Sequence, residues 1–110
     1  MYLSLIFDNL ISNAIKFSNP ETRVEIRLER FEQTLHVLVQ DQGPGIQLEE
    51  QKDLFKQFAK LTTTPTGGES SSGLGLSLVK RYAELIESKV WYDKDYLEGA
   101  RFVVELKSVK

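Results

Sequence analysis

The hydrophobic and polar positions of the chain follow periods that change along its length. Between residues 2 and 17 the apolar side chains recur at helical spacing, which predicts a helix that stops before Asn19-Pro20 because proline cannot continue it. This helix is expected to carry an apolar stripe on one face and a polar stripe on roughly the opposite face, and Phe17 lies at the edge between them. The apolar, buried stripe is predicted to be Leu3, Phe7, Leu10, Ile11 and Ala14. The polar stripe is Asn9, Asn13 and Lys16.

Two strands are predicted next, because apolar and polar residues alternate with period two. The half-buried face of the first strand is expected to carry Val24, Ile26 and Leu28. The same face of the second strand carries Leu35, Val37 and Val39. The next odd-numbered residue on this face is Asp41, so a carboxylate occupies the position at which another buried apolar side chain is expected. A buried carboxylate is costly unless it has a partner, and a charge-assisted hydrogen bond to an exocyclic amine would provide one.

The second half of the chain predicts two helices separated by a polar segment. Gly43-Pro44-Gly45 is a turn sequence, and the helices are predicted over about 48–58 and 73–87. Residues 59–72 contain seven Ser/Thr, one Pro and two Gly, a composition typical of a lid or other functional loop. The core-facing residues of the two helices are expected to be Leu48, Leu54, Phe55 and Phe58, and then Leu78, Tyr82, Leu85 and Ile86.

Two closing strands over 90–93 and 101–106, joined by a turn that contains Gly99, complete the pattern. The order of elements predicts an α+β fold in one domain spanning residues 1–110: a two-layer α/β sandwich whose mostly antiparallel sheet is covered on one face by helices.

Composition excludes several classes of protein. The chain has 110 residues and a formal net charge of −2, so it lacks the basic excess of a nucleic-acid or anionic-membrane surface. Without cysteine, disulfide frameworks, thiolate nucleophiles and Cys-ligated zinc are excluded, and a cytoplasmic setting is expected. No apolar run is long enough to span a bilayer, and no signal peptide opens the chain.

Two features suggest chemistry that involves phosphate. The polar stripe of the first helix has a simple interpretation as a solvated face, but asparagine is a poor residue in mid-helix. An Asn amide oxygen is a suitable Mg²⁺ ligand, and Lys16 could meet a phosphate. Gly73-x-Gly75 precedes a helix whose free N–H groups attract anions. The glycines match neither a Walker A loop nor a dinucleotide-binding fingerprint.

Four motifs follow one another along the chain. They are residues 9–17 (NLISNAIKF), 41–46 (DQGPGI), 54–58 (LFKQF) and 73–76 (GLGL). In order and spacing they resemble the N box, first glycine box, F box and second glycine box of sensor histidine kinase catalytic domains, members of the GHKL (Bergerat-fold) ATPase superfamily. The resemblance covers about residues 3–106. It implies a Bergerat fold, here without the first edge strand of its relatives.

The resemblance also implies a role for individual residues of the first two motifs. Asn13 would hold Mg²⁺ through its amide oxygen, supported by Asn9, and Lys16 would meet the phosphates of ATP. Phe17 would stack on adenine, and Asp41 would accept a hydrogen bond from the adenine amino group. On this basis Asn13 and Lys16 are the expected catalytic residues.

The remaining motif residues would complete the nucleotide site. Gly43 and Gly45 would let the base lie against the turn, and Lys60 stands where relatives carry a phosphate-contacting basic residue. Gly73 and Gly75 would act as hinges for a flexible ATP lid over 59–72 and present N–H groups to the phosphates. The other motif members expected at the nucleotide are Ile46, Phe58, Leu74 and Leu76. Ala100 departs from the Ser or Thr that many relatives place there.

The implied function is transfer of the γ-phosphate of ATP to a histidine on a separate helical dimerisation domain. The single histidine, His36, lies in mid-strand and is predicted to be structural, so the acceptor would come from outside the chain. The expected partners are that dimerisation domain and a response regulator receiver domain, with no nucleic acid or direct membrane contact and a monomeric isolated domain. Two alternatives stay open: a Ser/Thr kinase of the anti-sigma-factor type, and a non-catalytic nucleotide-gated interaction module.

Overall fold

The fold is an antiparallel sheet with two helices packed on one of its faces. A computed structural model of the chain describes residues 2–46, 48–51, 54–55 and 75–107. Its elements in chain order are α1 (Tyr2–Phe17), β1 (Glu25–Arg30), β2 (Thr34–Gln40), α2 (Leu48–Gln51), α3 (Gly75–Leu85), β3 (Lys89–Tyr92) and β4 (Arg101–Lys107). The predicted α+β architecture is confirmed, and the predicted lid over 59–72 lies outside the described residues.

The four strands form one sheet in the order β1-β2-β4-β3, with antiparallel pairing throughout. Val39 pairs with Phe102 and Val37 with Val104, so these four apolar residues share one face of the sheet. That face packs against α1 and α3, and its side chains form one core with those of the helices. The buried members of this core are Ile6, Leu10, Ala14, Val39, Leu54, Val79, Ala83, Ala100, Phe102 and Val104.

The edge strand β1 departs from its prediction. Ile26 is 52 % exposed and Leu28 67 % exposed, although their alternation predicted a half-buried face. Both side chains point to the helix side of the sheet, since Ile26 pairs with Val39 and Leu28 with Val37. They are exposed because β1 has a neighbour on one side only, and because α1 packs over β2 and α3 over β3, away from β1.

The buried faces of α1 and α3 are rotated from the predicted ones. Ile6, which the apolar stripe omitted, is fully buried in α1, whereas Leu3, Phe7 and Ile11 are only partly buried. In α3 the buried positions are Val79 and Ala83, and the predicted Leu78 and Leu85 are exposed. The reason is that α3 packs directly against α1, and the buried side chains of both helices belong to one core.

The predicted helix over 48–58 is also shorter than expected. α2 ends at Gln51, and Leu54 and Phe55 lie in a turn in which the Leu54 N–H bonds to the Gln51 carbonyl at 3.4 Å. Leu54 is buried in the core, so its tertiary packing sets the local conformation. Leu48, predicted to face the core, is exposed at the start of the helix.

A left-handed residue ends α3. Glu87 has φ 57°, its N–H bonds to the Glu84 carbonyl at 3.2 Å, and the Ser88 N–H bonds to the Ala83 carbonyl at 2.9 Å. This is a Schellman motif, in which glycine is the usual left-handed residue. The chain therefore makes this turn with glutamate instead of the usual glycine.

Candidate functional site

An apolar cavity lies between α1, the start of α3 and the ends of β2 and β4. Asn13 and Asp41 provide its polar side chains. Its lining residues are Asn13, Ala14, Phe17, Val39, Asp41, Gly45, Ile46, Leu76, Ala100 and Phe102. The six residues of this lining that the sequence placed at a nucleotide are Asn13, Phe17, Asp41, Gly45, Ile46 and Leu76.

Asp41 supplies the buried carboxylate that the strand parity predicted. It is 4 % exposed, and its Oδ1 accepts hydrogen bonds from the N–H groups of Gly43 and Ala100, each at 2.9 Å. Burial raises the pKa of the Asp41 carboxyl, and these two N–H groups partly oppose the rise. No hydrogen bond to Oδ2 comes from the described part of the chain, so that oxygen can accept one from a ligand in the cavity.

Glycines bring the backbone close to Asp41. A Cβ on Gly99 would lie 2.2 Å from the Asp41 carbonyl oxygen and 2.7 Å from its Oδ1, so no side chain fits there. A Cβ on Gly43 would lie 2.2 Å from the Phe17 carbonyl oxygen. Gly43 is therefore required by the contact between the 41–46 turn and the end of α1, and it does not line the cavity. Gly45, with φ 75°, does line it.

The end of α1 is held over the same turn. The Asn19 side-chain amide donates a 2.9 Å hydrogen bond to the Gln42 carbonyl. This contact and the close approach of Gly43 place Asn13 and Phe17 at the cavity wall. Sequence spacing put Asn13 opposite the buried stripe, but in the structure it lies next to that stripe, because Ile6 belongs to it.

The structure does not bring Asn9 and Lys16 into the cavity lining. The Asn9 side-chain amide donates to the Leu5 carbonyl of its own helix at 2.8 Å. Lys16 lines a separate surface groove of α1 together with Asp8, Ser12 and Ile15. Their roles at the metal and the phosphates remain predictions.

The second glycine motif is only partly described. Gly75 begins α3 and Leu76 lines the cavity. The predicted contacts of Phe58, Lys60, Gly73 and Leu74 lie outside the described residues.

Sequence reasoning missed Phe102 of β4 and the support that the preceding connection gives to Asp41, although the resemblance had singled out Ala100. Phe102 forms one wall of the cavity and makes edge-to-face contacts with Tyr92 and Phe55, with ring centroids 5.4 and 6.1 Å apart. Gly99 and Ala100 support the Asp41 carboxylate. The alternation of apolar residues in β4 was visible in the sequence, but the pairing of β4 with β2 was not.

The oxygen atoms that line the cavity suit a magnesium ion that arrives bound to a ligand. In the described ranges no group of three or more His, Cys, Asp or Glu side chains could hold a metal by itself. Mg²⁺ commonly takes one or two protein oxygens and completes its shell with water and substrate phosphates. The Asn13 amide oxygen at the cavity wall fits that arrangement.

Among the helices that the structure describes, none is long and apolar enough to cross a membrane.

Known proteins are similar to this chain in fold and in sequence. Residues 1–110 match the family described as histidine kinase-, DNA gyrase B-, and HSP90-like ATPase. The chain is 37 % identical over 106 residues to the sensor protein kinase PmrB of Pseudomonas aeruginosa, an alignment that covers 96 % of this chain and 22 % of that protein. The chain thus spans about a fifth of the length of this relative.

Solved structures agree. The mycobacterial sensor histidine kinase MprB superimposes with a TM-score of 0.86 at 27 % identity, over 96 % of this chain and 72 % of that chain. Full-length ShkA in complex with AMPPNP superimposes with a TM-score of 0.79 at 25 % identity, over 99 % of this chain and 22 % of that chain. This chain therefore belongs to the histidine kinase-, DNA gyrase B-, and HSP90-like ATPase family, and its fold is that of the sensor histidine kinase catalytic domains.

Proposed function

We propose that this chain is the ATP·Mg²⁺-binding catalytic domain of a sensor histidine kinase, which transfers the γ-phosphate of ATP to a histidine on a separate domain. One observation carries the proposal: Asp41 and Asn13 line the same apolar cavity. A carboxylate at one wall and an amide at another suit a ligand with an amine on a flat base and a metal-bound phosphate chain.

The base would enter the apolar part of the cavity. Its exocyclic amine would donate to Asp41 Oδ2, which is the oxygen that Gly43 and Ala100 leave unoccupied. Phe17 and Phe102 provide aromatic walls, and stacking on a purine would add to the affinity. The AMPPNP complex of ShkA, a protein with the same fold, supports an adenine nucleotide as the ligand.

The phosphates would extend from the cavity towards α1 and the start of α3. The Asn13 amide oxygen would hold Mg²⁺, which supplies charge neutralisation for phosphoryl transfer when bound. Lys16 would meet the phosphates from the neighbouring groove of α1, and the N–H groups at the start of α3 would contribute favourable partial charges. These groups position and stabilise the transferring phosphoryl group, which is most of what this reaction asks of a protein.

The acceptor would come from outside the chain. His36 lies on the sheet face opposite to the cavity, where its Nε2 is 2.9 Å from Glu105 Oε1 and its ring packs against Phe31 at 4.5 Å between centroids. It cannot meet a phosphate held near Asn13. A helical dimerisation domain that carries the phosphoacceptor histidine, and then a response regulator receiver domain, are the partners that the relatives' sensor kinase names suggest. Because the reaction uses ATP, we place the domain in the cytoplasm.

The test is incubation of the chain with a helical dimerisation domain and γ-labelled ATP. We expect label on the partner in an acid-labile, base-stable form, which is typical of phosphohistidine, and its loss with Asp41→Ala. Acid-stable label would indicate a Ser/Thr kinase of the anti-sigma-factor type. Binding of ATP without any transfer would indicate a nucleotide-gated interaction module. Calorimetry that shows no binding of magnesium ATP would contradict the proposal as a whole.

A further inference from the structure

Tyr96 is fixed in the β3–β4 connection by a tight turn and by an arginine. The turn spans 93–96: the Tyr96 N–H bonds to the Asp93 carbonyl at 3.3 Å, and Asp93 Oδ1 accepts from the Asp95 N–H at 3.0 Å. The guanidinium carbon of Arg101 lies 4.2 Å from the centre of the Tyr96 ring. Arg101 itself bonds Asp93 Oδ2 at 3.2 Å and Gln40 Oε1 at 2.6 Å. The ring therefore has little freedom to move.

This arrangement aims the Tyr96 hydroxyl at the backbone of Asp41. The hydroxyl donates a 3.0 Å hydrogen bond to the Asp41 carbonyl oxygen. Burial is the largest cause that raises the pKa of Tyr96, so the hydroxyl keeps its proton and acts as a donor. The Asp41 N–H bonds to the Ala100 carbonyl at 2.9 Å, and the Ala100 N–H bonds to Asp41 Oδ1. The β3–β4 connection thus holds the amide, the carbonyl and the carboxylate of one residue.

A second tyrosine holds the other end of the 41–46 turn. The Tyr92 hydroxyl accepts a 3.3 Å hydrogen bond from the Ile46 N–H. Tyr92 packs edge-to-face on Phe102, which anchors its ring in the core. The turn that carries the carboxylate is consequently fixed at both ends by hydroxyl groups from the end of β3 and the segment that follows it.

We propose that Tyr96 is a positioning residue for base recognition, whose hydroxyl holds the Asp41 peptide so that the carboxylate stays aimed at the exocyclic amine of the base. Tyr96 is not among the residues that line the cavity, so its effect passes through Asp41. The inference rests on the proposed function, because it assumes that Asp41 receives a hydrogen bond from adenine.

The test compares two ligands on each protein: ATP, and purine riboside triphosphate, which lacks the 6-amino group. We expect Tyr96→Phe to weaken ATP binding by roughly threefold to tenfold, the effect of one hydrogen bond, and to leave binding of purine riboside triphosphate unchanged. Tyr82→Phe is the matched control. Tyr82 stacks on Tyr2 with ring centroids 5.4 Å apart and does not contact the 41–46 turn in any described hydrogen bond, so neither affinity should change.

The outcomes distinguish the role of Tyr96 from the assignment of Asp41 to the adenine amino group. Equal weakening of both ligands by Tyr96→Phe would show a general structural effect and overturn the inference, as would no change with either ligand. Wild-type protein that binds both ligands equally would overturn the assignment of Asp41 to the amine, and the inference with it. A Tyr96→Phe protein that does not fold would show that the hydroxyl supports the fold as a whole, and this outcome would also overturn the inference.

Discussion

The backbone N–H of Ala100 donates a 2.9 Å hydrogen bond to Oδ1 of Asp41, across 59 positions of sequence. Asp41 directly follows β2 and Ala100 directly precedes β4, and these strands pair with Gln40 opposite Arg101. The register of the sheet therefore places the donor beside the acceptor. This bond occupies one carboxylate oxygen and leaves the other for a ligand, so the central pair of strands organises the proposed base site.

Asp41→Asn separates the charge at this position from its structural role. The Asn side-chain carbonyl oxygen can still accept hydrogen bonds from the N–H groups of Gly43 and Ala100. Its NH2 group would then face the amino group of adenine, and two donors cannot form a hydrogen bond with each other. We expect ATP affinity to fall by about 1.5–3 kcal/mol, on the order of 10–150-fold, without loss of folding stability. Calorimetric titration and thermal unfolding measure the two effects. An Asn variant that binds ATP like the parent would contradict the base assignment.

The dependence of ligand binding on pH follows from the raised pKa of Asp41. In the free domain the folded state disfavours the charged carboxylate. The contribution of Asp41 to stability is therefore fully present below its ordinary pKa of 3.8 and is lost as the pH rises through the higher folded value. The adenine amino group donates to the ionised form of the Asp41 carboxyl. The affinity for adenine should therefore begin to fall on acidification while the pH is still above 3.8. Adenosine, which has no titrating phosphate, is the ligand for this measurement. Asp41→Asn, which keeps only the titration of the adenine ring itself, is the control and should show a smaller dependence on pH.

Asn13→Ala should separate nucleotide binding from phosphoryl transfer. Asn13 lines the cavity at the wall of α1, and its amide oxygen is the proposed Mg²⁺ ligand. We expect transfer to the partner domain to be lost while adenosine binding stays largely intact. Asn9→Ala should have a smaller effect on transfer, because the Asn9 amide is bonded to the Leu5 carbonyl of its own helix. Equal losses in both variants would argue against a distinct role for Asn13.

Gly99→Ala should disturb the site without changing any polar group. The new Cβ would lie 2.2 Å from the Asp41 carbonyl oxygen, so the backbone must shift. We expect a loss of about 1–3 kcal/mol in the free energy of unfolding, with weaker ATP binding. Glu98→Ala, at the exposed neighbouring position, is the control and should leave both quantities near the parent values. Denaturant unfolding and calorimetry would show the difference.

Glu87→Gly should stabilise the domain. Glu87 holds φ 57° in the turn after α3, and glycine adopts this conformation without the steric cost of a Cβ. Because glycine also raises the entropy of the unfolded chain, the expected net gain is about 0.5–1 kcal/mol. Glu84→Gly, at an exposed position inside α3, should instead cost about 1 kcal/mol. A loss of stability with Glu87→Gly would contradict the role assigned to this turn.

Local patterns were sufficient for much of the site. Strand alternation predicted that Asp41 would continue the buried face of β2, and its exposure of 4 % confirms this. Helical spacing placed Phe17 at the edge of the apolar stripe near the end of α1, where it lines the cavity. These predictions succeed because the direction of a side chain within one element follows from the period of that element.

The same patterns did not predict which elements contact one another. The alternation that correctly marked Val39 also marked Ile26 and Leu28, which are exposed because β1 is an edge strand. Helical periodicity predicted Leu78 as a core residue of α3, but in the structure Val79 is buried against the core and Leu78 is exposed. The position of a strand in its sheet and the rotation of a helix depend on what packs against them, so neither is encoded locally.

By itself the sequence determined the order of the elements, the single carboxylate on a buried face and the four motifs that indicate the family. Tertiary structure alone decided that Gly99, Ala100 and Tyr96 would hold Asp41, and that Phe102 would form a cavity wall. The physical reason is that hydrogen bonds and packing join residues far apart in the chain only after the strand register is set. Short-range periodicity carries no information about that register.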